Sequence, residues 1–337
     1  MNNILVASTS VAMTTFNGGS YLEPQLTSIL TQTRQPTEVV ISDDGSDDGT
    51  YELIERFAAK APFPVRLLRG PERLGVTRNF ERAINECSGE LIILADQDDI
   101  WLPSKIEVIT DTFHRLPEVA YVFSDAYLID EKGADLAGTL WQKTGLSSGR
   151  LLAYQEGDQM LALLRERSFI YGMTMALRSC FRSYLLPIAS NSSYCTHDTW
   201  TSLLLSGLGA RGRGHAIQTP LVRYRQHSRQ EAGAPREVLG LLDAVLVSLR
   251  SKTRFDPTLS DDLMAIADRI DFHLNQQGKS AISASLLRQK AMHLNARRAA
   301  SESAFGARLY LIAREFKTGR YALFASPVKS MIRDLIS

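Results

Sequence analysis

The sequence predicts an α/β protein: a mostly parallel sheet with helices on both faces, followed by a C-terminal helical subdomain. Three observations carry this. β-Branched apolar runs alternate with segments of helical spacing over the first 130 residues, and strand–helix–strand repeated several times gives a largely parallel sheet covered on both sides. Three of the runs end in carboxylates, at Asp43–Asp44, Asp96 through Asp99 and Asp125, and such sheets bind ligands beyond the carboxyl ends of their strands. From Ala234 onward, apolar residues recur three and four apart, the spacing of one helical face.

Taken in order, the expected strands are SVAMTT (10–15), EVVISDD (38–44), PVRLLR (64–69), ELIILADQDD (90–99) and VAYVFSDA (119–126). Between them lie LEPQLTSILTQT (22–33), GTYELIERFAAK (49–60), VTRNFERAINEC (76–87) and PSKIEVITDTFHRL (103–116), each long enough for a crossover helix. Gly233 to Pro235 reads as a short linker, because Gly and Pro interrupt both helix and strand. Beyond it, VLGLLDAVLVSLR, LMAIADRIDFHL, ASLLRQKAMHL and ARLYLIAREF read as helices. The expected division is therefore 1–233, with halves at about 1–130 and 131–233, and 234–337.

At 337 residues, 44% hydrophobic and 22% charged, the chain is long enough for two compact units, and disorder and fibre are excluded. No run approaches the roughly 18 apolar residues that span a bilayer. A net charge of +1 argues against a nucleic-acid binder. It conceals a split: from Ala234 the chain holds 16 Lys+Arg and 10 Asp+Glu, a balance of +6. Three cysteines without CxxC pairing suggest a reduced compartment. The start MNNILVASTSVAMTTF lacks the pattern of a secretory signal, so a cytosolic location is expected.

Four motifs carry chemistry. ISDDGSDDGT (41–50) has several readings. Asp44, Ser46, Asp48, Gly49 and Glu55 fall at calcium-loop positions of an EF-hand spanning 44–55, but EVVIS is strand-like where an EF-hand needs a helix. A D-x-D-G-T phosphatase nucleophile fails, since the strand leads into Asp43-Asp44-Gly45. A plain Asp/Gly turn capping a helix at Thr50 competes with a ligand site. ADQDDIWLP (95–103) crowds carboxylates at a strand end, a repulsion that a hard divalent ion relieves. Mg²⁺ or Mn²⁺ with one or two carboxylates and substrate phosphates fits, which points to a nucleoside diphosphate. The alternative is a solvated acidic turn.

In YCTHDTWTSLLL (194–205), Asp198 opens a helical run and is either a cap or a catalytic base. In LVRYRQHS (221–228), Arg223, Arg225 and His227 alternate and share a strand face. That face suits a diphosphate, or is simply a polar edge strand.

In this order and spacing the four motifs resemble the family 2 glycosyltransferases, inverting enzymes of the GT-A fold. MTTFNGGSYLEPQLTSILTQT is similar to the family's opening strand and helix, ISDDGSDDGT to its nucleotide-binding turn, and ADQDDIW to its D-x-D metal motif. The D-Q-D-D-I-W form resembles bacterial rhamnosyltransferase-like members acting in surface polysaccharide assembly, O-antigen included. The likeness covers about residues 11–130, and 190–230 more loosely.

The resemblance implies that Thr15 and Asp43 or Asp44 contact base and ribose, with Asp96 beside the ribose or sugar. Asp98 would hold Mg²⁺ or Mn²⁺, supported by Asp99, and Asp198 would be the general base. Arg225 and His227 would engage the diphosphate or metal, so His227 joins Asp98 as a metal residue and Arg225 joins the nucleotide contacts. Two departures stand out: His197 where the family more often has Glu, and Ser228 where it usually has Gly. The implied donor is dTDP-rhamnose or a UDP-sugar, and the acceptor a saccharide or lipid-linked saccharide. The basic tail REFKTGRYALFASPVKSMIRDLIS (314–337) would either pack on its own domain or rest on the inner face of a membrane.

Overall fold

A computed structural model of the chain describes residues 7–70, 72–165, 169–228, 230, 257–275, 282–324 and 326–336. The five expected strands form as β1 (Thr9–Thr15), β2 (Glu38–Asp43), β3 (Val65–Arg69), β4 (Leu91–Ala95) and, after the two-residue β5 (Ile100–Trp101), β6 (Tyr121–Ile129). The four expected helices form as α1 (Gly19–Leu30), α2 (Thr50–Lys60), α3 (Val76–Glu86) and α4 (Lys105–Arg115). β1, β2 and β4 are buried along their whole length, as strands of a parallel sheet flanked by helices must be.

The chain continues through β7 (Asp135–Thr139), α5 (Leu140–Thr144), α6 (Ser148–Glu156), α7 (Gln159–Leu164), β8 (Met175–Arg178), α8 (Arg182–Leu185), α9 (His197–Gly207) and β9 (Gly214–Arg225). One sheet runs β3-β2-β1-β4-β8-β6-β9-β5, with β7 paired to β6. Its first four strands are parallel. β8 then runs antiparallel to both β4 and β6, β9 is parallel to β6, and β5 is antiparallel to β9. The sheet is thus mixed in its second half, where the short β5, β7 and β8 carried no strand signal.

Asp125 departs from its expected place at a strand end. β6 continues to Ile129, and Asp125 sits where the β6–β9 register shifts. Its carboxylate accepts N–H bonds from Ala126 at 2.8 Å and Trp141 at 3.0 Å, tying α5 to the sheet.

The helical tail comprises α10 (Pro257–Asn275), α11 (Ile282–Ser301), α12 (Phe305–Lys317), α13 (Arg320–Phe324) and α14 (Pro327–Ile336). The expected linker at 233–235 and the helix at 238–250 lie outside the described residues. Leu263, Ile266 and Ile270 of α10 and Leu287 of α11 are continuous with the core beneath the sheet. α9 and α10 approach closely because Gly207 has no side chain: a Cβ there would sit 2.1 Å from Ile270. A second, smaller core gathers around Ala300, Ile312 and Tyr321. Among the described residues no helix is long and apolar enough to cross a membrane.

Candidate active site

The parallel strands β1, β2 and β4 end side by side, so the loops leaving them form one rim. Thr15 and Asp43 are paired across β1 and β2, and the Thr15 hydroxyl donates to Asp43 Oδ2 at 2.8 Å. Asp43 is fully buried and also accepts from the Ser46 hydroxyl at 2.6 Å and the backbone N–H groups of Gly45 and Ser46. Such an Asx-type turn requires the left-handed backbone found at Gly45, with φ +89°.

Asp44 is turned the other way. Its two oxygens take the N–H groups of Leu74 at 2.7 Å and Gly75 at 2.9 Å, anchoring the loop that opens α3. Asp48 Oδ1 accepts from both the N–H and the hydroxyl of Thr50 at the start of α2. A strand enters this loop, and the Asp44 and Asp48 carboxylates are committed to the chain itself. The EF-hand arrangement is therefore not formed.

The loop after β4 is locked to the loop after β1 by Gln97, whose side-chain amide accepts from Phe16 N at 2.8 Å and donates to Phe16 O at 2.9 Å. Beside it, Asp96 is partly exposed and its backbone carbonyl accepts from Gln25 Nε2 at 3.1 Å.

β9 returns to the same rim. Asp98 Oδ2 lies 2.8 Å from His227 Nε2, and the His227 ring lies against Tyr21, centroids 4.6 Å apart. Arg225 donates through Nε to the Asp98 carbonyl at 2.7 Å and through its guanidinium to the carbonyls of Asp130 and Glu131. Its backbone N–H donates to Asp99 Oδ1 at 3.0 Å. Asp99 is fully buried, and Oδ2 has no hydrogen-bond partner among the described residues. Burial first, then the neighbouring Asp98 and Asp96, hold its carboxyl well above the usual carboxylate range. Arg223, expected on the same face, pairs instead with the exposed Asp135 at 2.5 Å.

The fold brings Asp98 and His227 together, with Asp96 and Asp99 on the same loop. Among the described residues no three His, Cys, Asp or Glu side chains form a closed metal cage. A two-residue pair fits a hard divalent ion that completes its shell with water and phosphate oxygens.

Asp198, in the first turn of α9, is partly buried. Its Oδ1 accepts from the Thr196 hydroxyl at 2.5 Å and Thr199 N at 2.6 Å, and Oδ2 from Gly172 N at 2.9 Å. Three donors take three of a carboxylate's roughly four acceptor positions and fix its orientation. The turn at 172–174 connects Asp198 to the acidic loop, because Lys105 Nζ donates to the Met173 carbonyl at 2.5 Å from the other side.

Lys105, Gln97 and Gly172 were not singled out by sequence. Lys105 is fully buried above the Trp101 ring at 4.0 Å, and burial pulls its ammonium down to about 7 against the opposing pull of Asp99 and Asp96. Its signal was its place on the apolar stripe with Ile109 and Phe113. His197 points away from this group, stacked on Phe80 with centroids 3.8 Å apart and neither ring nitrogen hydrogen-bonded among the described residues. Burial lowers its pKa. A Cβ on Gly172 would meet His197 Nε2 at 2.3 Å, so this ring packs beneath the turn.

Residues 10–182 match the family described as Glycosyl transferase family 2. An uncharacterized glycosyltransferase of Haemophilus influenzae is 25% identical over 223 residues, 66% of each chain. The dTDP-rhamnosyl transferase RfbG of Shigella flexneri is 36% identical over 103 residues, 29% of this chain and 36% of its own. An uncharacterized glycosyltransferase of Nostoc sp. is 30% identical over 132 residues, 39% of this chain, and the match spans 40% of that relative's length. S. aureus TarS 1–349 in complex with UDP superposes with a TM-score of 0.51 at 13% identity, covering 98% of this chain and 89% of that one.

Proposed function

Because the chain belongs to glycosyl transferase family 2, we propose that it moves a sugar from a nucleoside-diphosphate donor to an acceptor hydroxyl, with inversion, through the rim described above. The observation that carries this is the Asp98–His227 pair, which joins the loop after β4 to the end of β9 on the strand-end rim that also carries the Thr15–Asp43 pair. The names of relatives support dTDP-rhamnose or a UDP-sugar as donor, UDP-GlcNAc being bound by the TarS fragment. A saccharide or lipid-linked saccharide in surface polysaccharide assembly is the acceptor this reading expects, on the cytoplasmic side, where nucleotide sugars are made.

Thr15 and Asp43 shape the wall for base and ribose. Asp44 acts on that wall indirectly, by anchoring the 74–75 backbone, and Asp96 faces the ribose or sugar. Asp98 and His227 would hold Mg²⁺ or Mn²⁺, which when bound neutralises the charge growing on the departing diphosphate. Arg225 braces this pair: its guanidinium is spread over three backbone carbonyls and its charge lies beside the diphosphate.

An acceptor hydroxyl is a poor nucleophile, so a positioned carboxylate that takes its proton during attack contributes about 10²- to 10⁴-fold. Asp198 has the fixed orientation this role needs and an acceptor position to spare. A single displacement from the face opposite the leaving group inverts the anomeric carbon.

The test is a thermal-shift panel of UDP, dTDP, GDP and CDP, each with and without Mn²⁺, on the native chain and on Asp98→Asn. One nucleotide should raise the midpoint only with metal, and only in the native chain. No shift with any nucleotide would overturn the reading.

A further inference from the structure

The last two long helices carry a surface that the transfer chemistry does not use. α14 is buried on one side through Ser330 and Asp334, with Met331 and Leu335 packed on the small core. A buried carboxylate is tolerated when its lone pairs are filled. Asp334 accepts from Arg297 Nε and a guanidinium NH₂, each at 2.7 Å, and from the Tyr321 hydroxyl at 2.6 Å. This network fixes the rotation of α14 and turns Val328, Ile332 and Ile336 outward, together with Lys329. Three of the four exposed residues on that helix are therefore β-branched aliphatics, the reverse of an ordinary surface helix.

α12 continues the pattern with Phe305, Leu309, Tyr310 and Phe316. The seven apolar residues of the two helices are between 44% and 69% exposed. Arg308 of α12 donates to the Leu335 carbonyl of α14, so the helices are neighbours. Charge follows the same division. Residues 305–336 hold six cations, Arg308, Arg314, Lys317, Arg320, Lys329 and Arg333, and two anions, Glu315 and Asp334. Both anions are buried and paired, Glu315 with Arg320 and His293, Asp334 with Arg297. What faces outward is aromatic and aliphatic groups interleaved with the exposed Arg314, Lys317 and Lys329, while Arg308, Arg320 and Arg333 are half-buried.

We propose that the outer surface of α12 and α14 seats the protein on an anionic membrane, with its apolar side chains at the headgroup–acyl boundary and its cations among anionic headgroups. Short amphipathic helices of this composition bind in the plane of the interface, and each Lys or Arg near an anionic leaflet adds to the attraction. Positive outer charge complements a lipid surface and repels a second copy of the same face. The seat lies on the helical tail, so it is read separately from nucleotide binding at the sheet.

Vesicle flotation of the full chain tests this, using phosphatidylcholine alone and phosphatidylcholine containing phosphatidylglycerol. The native chain should float with the anionic vesicles and dissociate in high salt. Phe316→Glu with Ile332→Glu, and separately Lys317→Glu with Lys329→Glu, should each lower the bound fraction about tenfold. All four positions are exposed, so both variants should keep the native melting midpoint and nucleotide response. Failure of the native chain to float, equal flotation with both vesicle types, or flotation unchanged in the Glu variants would overturn the proposal. So would a native dimer in sedimentation that the Glu variants dissociate, since a second copy would then cover the face.

Discussion

Asp98 and His227 are 129 residues apart in sequence and 2.8 Å apart in space. The imidazole is further set by its backbone N–H, which donates to Gln230 Oε1 at 2.6 Å, and by the Tyr21 ring. The pair exists because β9 runs parallel to β6 and antiparallel to β5, which follows the acidic loop, so its last residues reach the loop after β4.

Removing the imidazole should therefore weaken metal-dependent nucleotide binding without unfolding the chain. For His227→Ala the expected loss is about 10- to 100-fold in apparent Mn²⁺ affinity, measured by titrating Mn²⁺ at fixed nucleotide. An unchanged affinity would remove His227 from the metal site.

Asp198→Asn should separate chemistry from binding. The amide replaces one acceptor oxygen with a donor, so turnover should fall by about 10²- to 10⁴-fold while the nucleotide-dependent thermal shift persists. Steady-state assays with donor hydrolysis and transfer measured side by side would show this. Loss of nucleotide binding as well would assign Asp198 to the architecture of the 172–174 turn.

Lys105 gives a stability signature in pH. Its folded pKa of about 7 lies below the ordinary 10.5 because burial disfavours the ammonium. Between those values the unfolded chain binds a proton that the folded chain releases, so this lysine makes stability rise with pH from about 7 to 10, at up to about 1.4 kcal/mol per pH unit. Below pH 7 its contribution is flat. Urea unfolding of the native chain and Lys105→Met across this range should give a shallower slope in the variant, and equal slopes would contradict the assignment. Lys290, also drawn down to about 7 by burial, keeps some slope in both.

The helical tail reaches the candidate base through Asp262 of α10. Its carboxylate accepts from the Ser190 hydroxyl and from the N–H groups of Asn191 and Ser192, all at 2.9 Å, holding the segment that leads into Thr196 and Asp198. Asp262→Ala removes three hydrogen bonds that hold this segment, at a cost of about 1–3 kcal/mol. Hydrogen exchange over 190–198 should accelerate more than in the sheet strands. A uniform change would mean the contact serves global stability alone.

Local patterning determined much of this protein. Runs such as EVVIS and ELIIL form buried parallel strands, because β-branched residues without polar alternation need cover on both faces. The helices between them formed where apolar spacing placed them, and the acidic loops fell at strand ends because crossover connections leave them there. The motifs and their order were legible for the same reason.

Tertiary structure decided what local pattern cannot encode. β8 has four residues, too short to show a period, and becomes a strand by insertion between β4 and β6. Asp43 and Asp44 are adjacent and chemically alike, yet one holds Thr15 and the other the Leu74–Gly75 backbone, since successive residues leaving a strand point to opposite sides. Lys105 opens α4, and the packing of that helix against the sheet buries it. The Asp98–His227 pair, the turn shared by Asp198 and Lys105 and the outward apolar face of α14 all depend on contacts between residues far apart in sequence. Spacing fixes which side of an element a residue occupies; the packing of the elements decides what that side meets.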